Sequence, residues 1–405
     1  MRRIFFVNRF FAPDHSATSQ LVSDVGAHLA SIGHEVHAVT SQQLYDQPET
    51  RLPAYEVRDG IHIHRVAATQ FGRKNLVGRA FDYSSFYVSA WRALNTLLNR
   101  DDILVAMTDP PLISIPAMMA ARRRKAGLIN WLQDVYPEVA VKLGVPGIKG
   151  PLFWSLALLR NRSLTAAMAN VVLGERMADK ISSLVHADQP TCVIWNWCND
   201  TEISPIARHD NPLRRQWSLE DKFVVGYSGN LGRAHEYETV LAAAERLKTN
   251  PEILFLFIGG GHGFQQLAKR VHERGLKNFR FMDYQPSEML KFSLSVPDVH
   301  WVSLLPQVEG LIVPSKVYGI AAAGRPIITI GSKDGEIARV VRKFECGGLI
   351  EIGDDPSLAD MILQLAADSE LRATMGQRAR AMLESQFTRR QALDRWRALI
   401  ERMPR

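Results

Sequence analysis

Cysteine is nearly absent. Cys192, Cys198 and Cys346 are the three in 405 residues, an odd number with no Cys-x-x-Cys spacing. That arithmetic argues against a disulfide scaffold and against a zinc ribbon, and the expectation is reduced thiols in a cytoplasmic protein. Long apolar runs are missing as well: the best stretches, residues 112–121 and 151–159, fall short of the roughly 20 residues that span a bilayer. At the start, Ile4-Phe5-Phe6-Val7 follows two arginines but is broken at once by Asn8-Arg9, so it reads as a first strand and not as a signal peptide. There is no His-Glu-x-x-His, no Gly-x-Ser-x-Gly and no Walker A lysine loop, which removes the sequence grounds for a zinc protease, a serine hydrolase and a P-loop nucleotidase. The histidines are scattered, and no metal is expected. An excess of charge is lacking too. The formal net charge of +7 suits an anionic partner but does not choose among nucleotide, nucleic acid and membrane, and nothing beyond charge speaks for nucleic acid.

What is present is a chain 46% apolar and 22% charged, long enough for two domains of about 200 residues each. Apolar runs of strand length alternate with helical patterns in both halves, the signature of βαβ units and parallel sheets covered by helices. Residues 4–7 read as a strand, Leu21, Val22, Val25 and Leu29 as a helix face ending at Gly33, and residues 35–40 as the next strand. Further strands are expected at 103–107, 128–132 and 171–173. The pattern blurs between 195 and 219, where Asn196, Asn199, Asp200, Pro205, Asn211 and Pro212 cluster. A second series then opens at 223–227, continues at 253–258 and 299–304, and includes 326–330. Past Pro356 the chain reads helical, with a break near Phe387-Thr388. The predicted division is 1–200, 201–386 and a terminal helix 387–405.

In doubly wound sheets anions bind where loops and helix starts gather at the strand carboxyl ends, so those loops are the candidates. Residues 227–235, Tyr-Ser-Gly-Asn-Leu-Gly-Arg-Ala-His, follow the first strand of the second half. Gly229 and Gly232 with Asn230 can present bare amides to a phosphate, and Arg233 can bind it through paired hydrogen bonds; the bland reading is a tight turn with a solvated arginine. Gly259, Gly260 and Gly261, after the next strand, let a ligand lie against backbone or simply let the chain turn. In Pro314-Ser315-Lys316-Val317-Tyr318-Gly319 the spacing predicts a helix capped by Ser315 and ended by Gly324. Lys316 in its first turn opposes the helix dipole, which an anionic ligand would offset. In the first half, Ser16, Ala17 and Thr18 open the first helix as caps or as a phosphate or sugar contact. Asp134, after the strand ending at Leu132, can orient an acceptor hydroxyl or take its proton.

Taken together and in order, Ser228-Gly229-Asn230-Leu231-Gly232, Ile258-Gly259-Gly260-Gly261, Pro314-Ser315-Lys316, Ala322-Ala323-Gly324-Arg325-Pro326 and Gly335-Glu336-Ile337 resemble the nucleotide-sugar half of retaining glycosyltransferases of group one (family four). Gly33-His34-Glu35-Val36 and Gly174-Glu175-Arg176-Met177 are similar to that family's acceptor domain. The resemblance implies an α/β protein of GT-B fold, two doubly wound Rossmann-like domains facing a central cleft, with the last helix crossing back to the first. It also implies metal-independent chemistry with no cofactor beyond the nucleotide sugar. Carried over by position, Arg233 and Lys316 hold the donor diphosphate beside Gly229, Asn230 and Gly232, Gly259 and Gly260 border the nucleoside, and Ser315, Tyr318 and Glu309 complete the donor set. The Ser16-Ala17-Thr18 turn closes on the phosphate, and Asp134 lies near the transferred sugar. Three departures stand out. The family's second glutamate position is Gly319, with Glu309 displaced from the first; its common basic residue in the Gly-rich loop is Asn230, which makes Arg233 either a substitute or a bystander; and a histidine usual before Asp134 is Gln133.

Within the group, residues 133–138 and 314–316 look most like enzymes building exopolysaccharide, capsule and O-antigen units on lipid-linked sugars at the inner membrane face. The expected reaction is sugar transfer from a nucleoside diphosphate, UDP favoured over GDP, to a lipid-linked saccharide. Rival readings are a nucleotide-sugar epimerase or phosphorylase on the same architecture, a non-catalytic sugar-nucleotide-binding protein, and a transferase inactivated at Gly319. Arg122-Arg123-Arg124-Lys125, Lys142 and Lys149, with Phe153-Trp154, Leu156, Leu158, Leu159, Arg160 and Arg162, suit either an anionic membrane surface or a buried helix with a solvated basic face.

Overall fold

The structure, a computed structural model, describes residues 2–404 except 48, 73–75 and 186–188. It divides into two compact units, Met1–Trp195 with Leu393–Arg405, and Asn196–Ala392. The first boundary falls five residues earlier than predicted, and the chain rejoins the first unit at Leu393 and not at 387. Packing sets that second point: Trp396 is fully buried against Trp131 with ring centres 4.5 Å apart, whereas Phe387 packs on Tyr318 and the Arg389 amide donates to Asp200.

In the first unit the elements run β1 (Arg3–Val7), α1 (Ala17–Ser31), β2 (Glu35–Ser41), β3 (Tyr55–Arg58), β4 (Ile61–Val66), α2 (Leu76–Leu97), β5 (Ile103–Ala106), α3 (Ser114–Arg124), β6 (Gly127–Trp131), α4 (Glu138–Lys142), α5 (Gly150–Ala166), β7 (Ala169–Val172), α6 (Glu175–Ser182) and β8 (Thr191–Val193). The sheet order is β3-β4-β2-β1-β5-β6-β7-β8, parallel except for β3 against β4. Central strands such as Ile4-Phe5-Phe6-Val7 are apolar at every position because helices cover both faces. The predicted stripe Leu21, Val22, Val25 and Leu29 is buried, and α1 stops where Gly33 adopts φ +95°.

The second unit contains α7 (Pro212–Gln216), β9 (Phe223–Asn230), α8 (Glu238–Arg246), β10 (Ile253–Gly260), α9 (His262–Glu273), β11 (Phe279–Met282), α10 (Leu290–Ser295), β12 (Val299–Ser303), α11 (Lys316–Ala322), β13 (Ile327–Ile330), α12 (Glu336–Phe344), β14 (Gly347–Ile350), α13 (Asp355–Ala367) and α14 (Ser369–Met382), and α15 (Arg389–Arg402) leads out of it. Its six strands are all parallel in the order β11-β10-β9-β12-β13-β14. A buried ion pair, Arg214 to Asp298 at 2.6 Å, ties α7 to the sheet, and Asp298 also accepts the Val224 amide.

One expectation about the loops is corrected here. Ser228 to Asn230 and Gly259-Gly260 are not loop but strand, paired in register Gly259 to Gly229 and Gly260 to Asn230. The glycines are what permit this. Gly229 and Gly259 have φ +119° and +138°, and a Cβ on Gly259 would stand 2.3 Å from the Gly229 carbonyl oxygen. Two bare backbones therefore close on each other at the carboxyl end of β9. In each unit the winding reverses beside the first strand, between β1 and β5 and between β9 and β12, which is where ligands bind in sheets of this kind.

Candidate active site

At the end of β9 the structure gathers residues far apart in sequence. Lys316, the first residue of α11, folds back so that its Nζ sits 5.2 Å from the centre of the Tyr227 ring and 3.3 Å from His235 Nε2. Its Cε lies where a Cβ on Gly229 would come within 3.0 Å. His235 Nδ1 is 2.7 Å from the Ser303 carbonyl oxygen. A carbonyl only accepts, so Nδ1 carries the proton and Nε2 is left to accept from the lysine. Burial, followed by the charge of Lys316, lowers the His235 pKa to about 4, and burial lowers that of Lys316 to about 8. The histidine is neutral at pH 7 and the lysine still mostly charged. No carboxylate pairs with Lys316 among the described residues, and a desolvated cation without a counter-ion is a place where an anion gains most. One residue before Gly229, the Ser228 hydroxyl is buried without a hydrogen-bond partner.

The other expected donor residues are placed as follows. Arg233 is exposed and makes no hydrogen bond or ion pair to these groups; Gly232 has open space where a Cβ would be; Asn230 is exposed, its Oδ1 2.0 Å from where a Cβ on Gly261 would stand. Gly260 borders the ring of Tyr284, which is 60% exposed. Glu309 accepts the Glu336 amide at 3.2 Å at the start of α12, and with Ser303, Pro314, Gly331 and Ser332 it lines a small pocket. Two expectations fail. Ser315 stands before α11 but its side chain makes no capping bond, and its own backbone is already helical. Tyr318 is 2% exposed with a buried hydroxyl and its ring on Phe387, so it packs the core of the helix and presents nothing to a donor.

In the first unit a second pocket opens at the end of β6. Thr108, Ser114, Asn130, Asp134, Tyr136 and Arg160 line it. The Gln133 amide donates to Thr108 Oγ1 at 3.2 Å, and Arg160 donates to the Tyr136 carbonyl and, at 2.6 Å, to Glu138. Burial, then the nearby charge of Asp109, raises the Asp134 pKa to about 6, poising this carboxylate near neutrality. Ser16 does not cap α1 through its hydroxyl, which is buried and unpartnered, and its own amide donates to Asp14 Oδ1 at 2.8 Å. Ala17 is exposed, and Thr18 Oγ1 lies 3.4 Å from Asn8 Nδ2.

Comparison with known proteins decides the family. Residues 210–382 match the model of glycosyl transferases group 1, and residues 17–197 match that of a glycosyl transferase 4-like domain. The chain belongs to the group 1 glycosyltransferases. It is 28% identical over 309 residues to Pseudomonas aeruginosa WbjE, named as a glycosyltransferase, with 76% of each chain covered. It is 26% identical over 352 residues to Escherichia coli WcaI, named as a colanic acid biosynthesis glycosyl transferase, covering 82% of this chain and 84% of that one. Among solved structures it is similar to the sucrose-phosphate synthase of Thermosynechococcus elongatus, with a TM-score of 0.78 at 17% identity over 99% of this chain and 98% of that one. It is also similar to Anabaena HepE in complex with UDP-glucose, with a TM-score of 0.73 at 15% identity over the whole of both chains. The fold is GT-B.

Sequence reasoning gave His235 no role in this glycosyltransferase and so missed its bond to Lys316, 81 positions on. Tyr284 was missed as the neighbour of Gly260, and Tyr136 as part of the Asp134 pocket. His235 left a signal, two residues after Arg233 in a loop already under suspicion, and so did Tyr136, inside the 133–138 stretch; Tyr284 left none. Among the described residues no group of three or more His, Cys, Asp or Glu side chains could hold a metal ion, and no helix is long and apolar enough to cross a membrane.

Proposed function

We propose that the enzyme is a retaining glycosyltransferase that moves a sugar from a nucleoside diphosphate sugar, UDP favoured, to a lipid-linked saccharide in the assembly of a bacterial surface polysaccharide. The observation that carries this reading is Lys316, a desolvated cation aimed by His235 at the bare backbone of Gly229. As the glycosidic bond breaks, negative charge builds on the leaving diphosphate, and a cation already fixed there needs no reorganisation at the moment of reaction. Arg233, exposed and unpaired, reaches the same diphosphate when donor binds. Gly259 and Gly260 with Tyr284 border the nucleoside.

On the acceptor side, Asp134 orients the attacking hydroxyl. The donor phosphate takes the hydroxyl proton in a front-face displacement, which preserves anomeric configuration without a strong general base. UDP-glucose in HepE and the polysaccharide role in the name of WcaI support the donor class and the setting. The test is a panel of UDP- and GDP-sugars with a prenyl-diphosphate-linked saccharide, the product anomer being read by NMR. Transfer with retention from a UDP-sugar, and only slow donor hydrolysis without acceptor, is expected. Inversion, or turnover of the donor alone to an epimer, would refute the reading.

A further inference from the structure

The helix layer over one face of the first unit's sheet carries an outer surface unsuited to water. In α5 the residues that pack inward are Ala157, Arg160, Ser163 and Leu164. The opposite side shows Leu152, Trp154 and Leu158 at 49%, 71% and 53% exposure, with Phe153, Leu156 and Leu159 half-buried beside them. A surface helix is polar on its solvent side; one that is apolar there has a partner. Met119 on the neighbouring α3 is 52% exposed and continues the apolar surface.

The exposed charges on and beside α3, α4 and α5 have one sign. Arg122, Arg123, Arg124, Lys125, Lys142, Lys149 and Arg162 are all exposed, and none has an ion pair among the described residues. Over residues 111–167 the sequence holds two acids, Asp134 and Glu138. The first lies in the pocket and the second is held by Arg160 at 2.6 Å, so neither faces outward beside the apolar side chains. Trp154, Leu158 and Arg162 stand four residues apart on one line, a tryptophan and a leucine followed by a cation. That is the composition of a helix lying in the interface of an anionic bilayer, with rings at headgroup depth and long cations reaching the phosphates.

We propose that the outer side of α5, with the basic end of α3, docks this enzyme on an anionic lipid bilayer. The inward side of the same helix supplies Arg160 and Leu164 to the Asp134 pocket, so docking would bring that pocket to the surface where a lipid-linked acceptor lies. Only this last consequence rests on the proposed function; the docking stands on the surface itself.

The experiment is co-sedimentation of the full chain, without donor or acceptor, with vesicles of phosphatidylglycerol and phosphatidylethanolamine and with vesicles of phosphatidylcholine alone. Binding to the anionic vesicles that weakens as salt is raised, and much weaker binding to phosphatidylcholine, is expected. Trp154→Ala with Leu158→Ala should weaken it tenfold or more. Arg123→Gln with Arg124→Gln should weaken it by about fivefold per charge removed, since each cation near such a surface is worth about 1 kcal/mol. The arginine pair is exposed and tests the idea even if the apolar pair impairs folding. Transfer to a soluble, lipid-free acceptor should be unchanged in both variants, which separates a failure of docking from a failure of the transferase reading. The proposal is overturned if the chain stays in solution with anionic vesicles at low salt. It is equally overturned if neither variant alters binding, or if sedimentation velocity shows a dimer that Trp154→Ala dissolves, which would assign the face to a second copy.

Discussion

Replacing Lys316 by methionine keeps most of the side chain's volume and removes its charge, and the structure assigns opposite signs to the consequences for stability and for activity. Burial lowers the Lys316 pKa from 10.5 to about 8. Because the folded value lies below the unfolded one, the charged lysine costs stability at every pH below 8, and the cost is relieved as pH rises from 8 to 10.5. The full cost is about 3 kcal/mol, at 1.36 kcal/mol per pKa unit. Against it stand a cation–π contact with Tyr227 and a hydrogen bond to His235, together about 1–2 kcal/mol. Lys316→Met should therefore stabilise the enzyme at pH 7 by about 1–2 kcal/mol, a rise of roughly 2–8 °C in Tm for a unit of this size. The gap between variant and wild type should close as pH is raised from 8 to 10.5. Turnover should fall by about 10² or more, the scale of a lost electrostatic donor at a charged transition state.

Both readouts come from one protein: differential scanning calorimetry across pH, and product formation at saturating donor. A structural lysine would behave in the reverse way, losing stability when removed and leaving turnover within tenfold. That outcome would refute the assignment of Lys316 to the leaving diphosphate. Stability spent on a desolvated charge is the mark of a site built for a ligand.

Other consequences follow from the same structure. Asp134, with its pKa raised to about 6, should give kcat/KM an acid limb near that value, and Asp134→Asn should abolish the limb and cut activity. Because the folded pKa is raised, ionised Asp134 costs stability above pH 6, so the variant should be more stable by up to about 3 kcal/mol at pH 7 and no more stable at pH 3, as urea unfolding would show. Gly259→Ala places a Cβ 2.3 Å from the Gly229 carbonyl at φ +138° and should cost about 2 kcal/mol or more, with a parallel loss of donor affinity by calorimetry; an unchanged urea midpoint would refute the close-approach argument. Arg214→Met leaves the buried Asp298 with only the longer, 3.8 Å pair to Arg208 and should cost about 3 kcal/mol by the same measurement.

The sequence made the architecture legible because alternation of period is a local signal. Strands such as residues 4–7 and 253–258, the stripe of α1 and the stop at Gly33 each depend on a handful of neighbouring residues. What it hid depends on partners. Nothing local distinguishes Ser228-Gly229-Asn230 as strand, since the close approach there depends on glycine at both 229 and its cross-strand partner 259. Lys316 was flagged from its place in a helix, but the partner that orients it is 81 positions away. Tyr318 was misplaced because a tyrosine beside Ser315 and Lys316 looks the same whether its ring turns outward or, as here, toward Phe387 across a contact spanning 69 positions. The return of the chain was placed at 387 from the helix break, whereas tryptophan packing set it at Leu393.

Gly319, where the resemblance places a second glutamate, acquires a physical reading from its surroundings. A Cβ there would meet Leu294 at 3.2 Å, so a longer acidic chain would have to push past an apolar neighbour. The carboxylates this enzyme does bring to the region are Glu336, buried and close enough for its charge to act on Tyr318, and Glu309, fixed by the amide at the start of α12, where the partial positive charge of a helix start suits it. Removing one acid from the neighbourhood of α11 also removes a counter-charge that would have raised the Lys316 pKa and neutralised its field. A lysine lowered to about 8 by burial, with no carboxylate partner among the described residues and bonded to a neutral histidine, fits that absence. It leaves the cation's interaction with an incoming diphosphate undiluted. On this argument Gly319 is compatible with an active enzyme, and restoring the acid by Gly319→Glu should lower activity by disturbing Leu294 and partly neutralising Lys316.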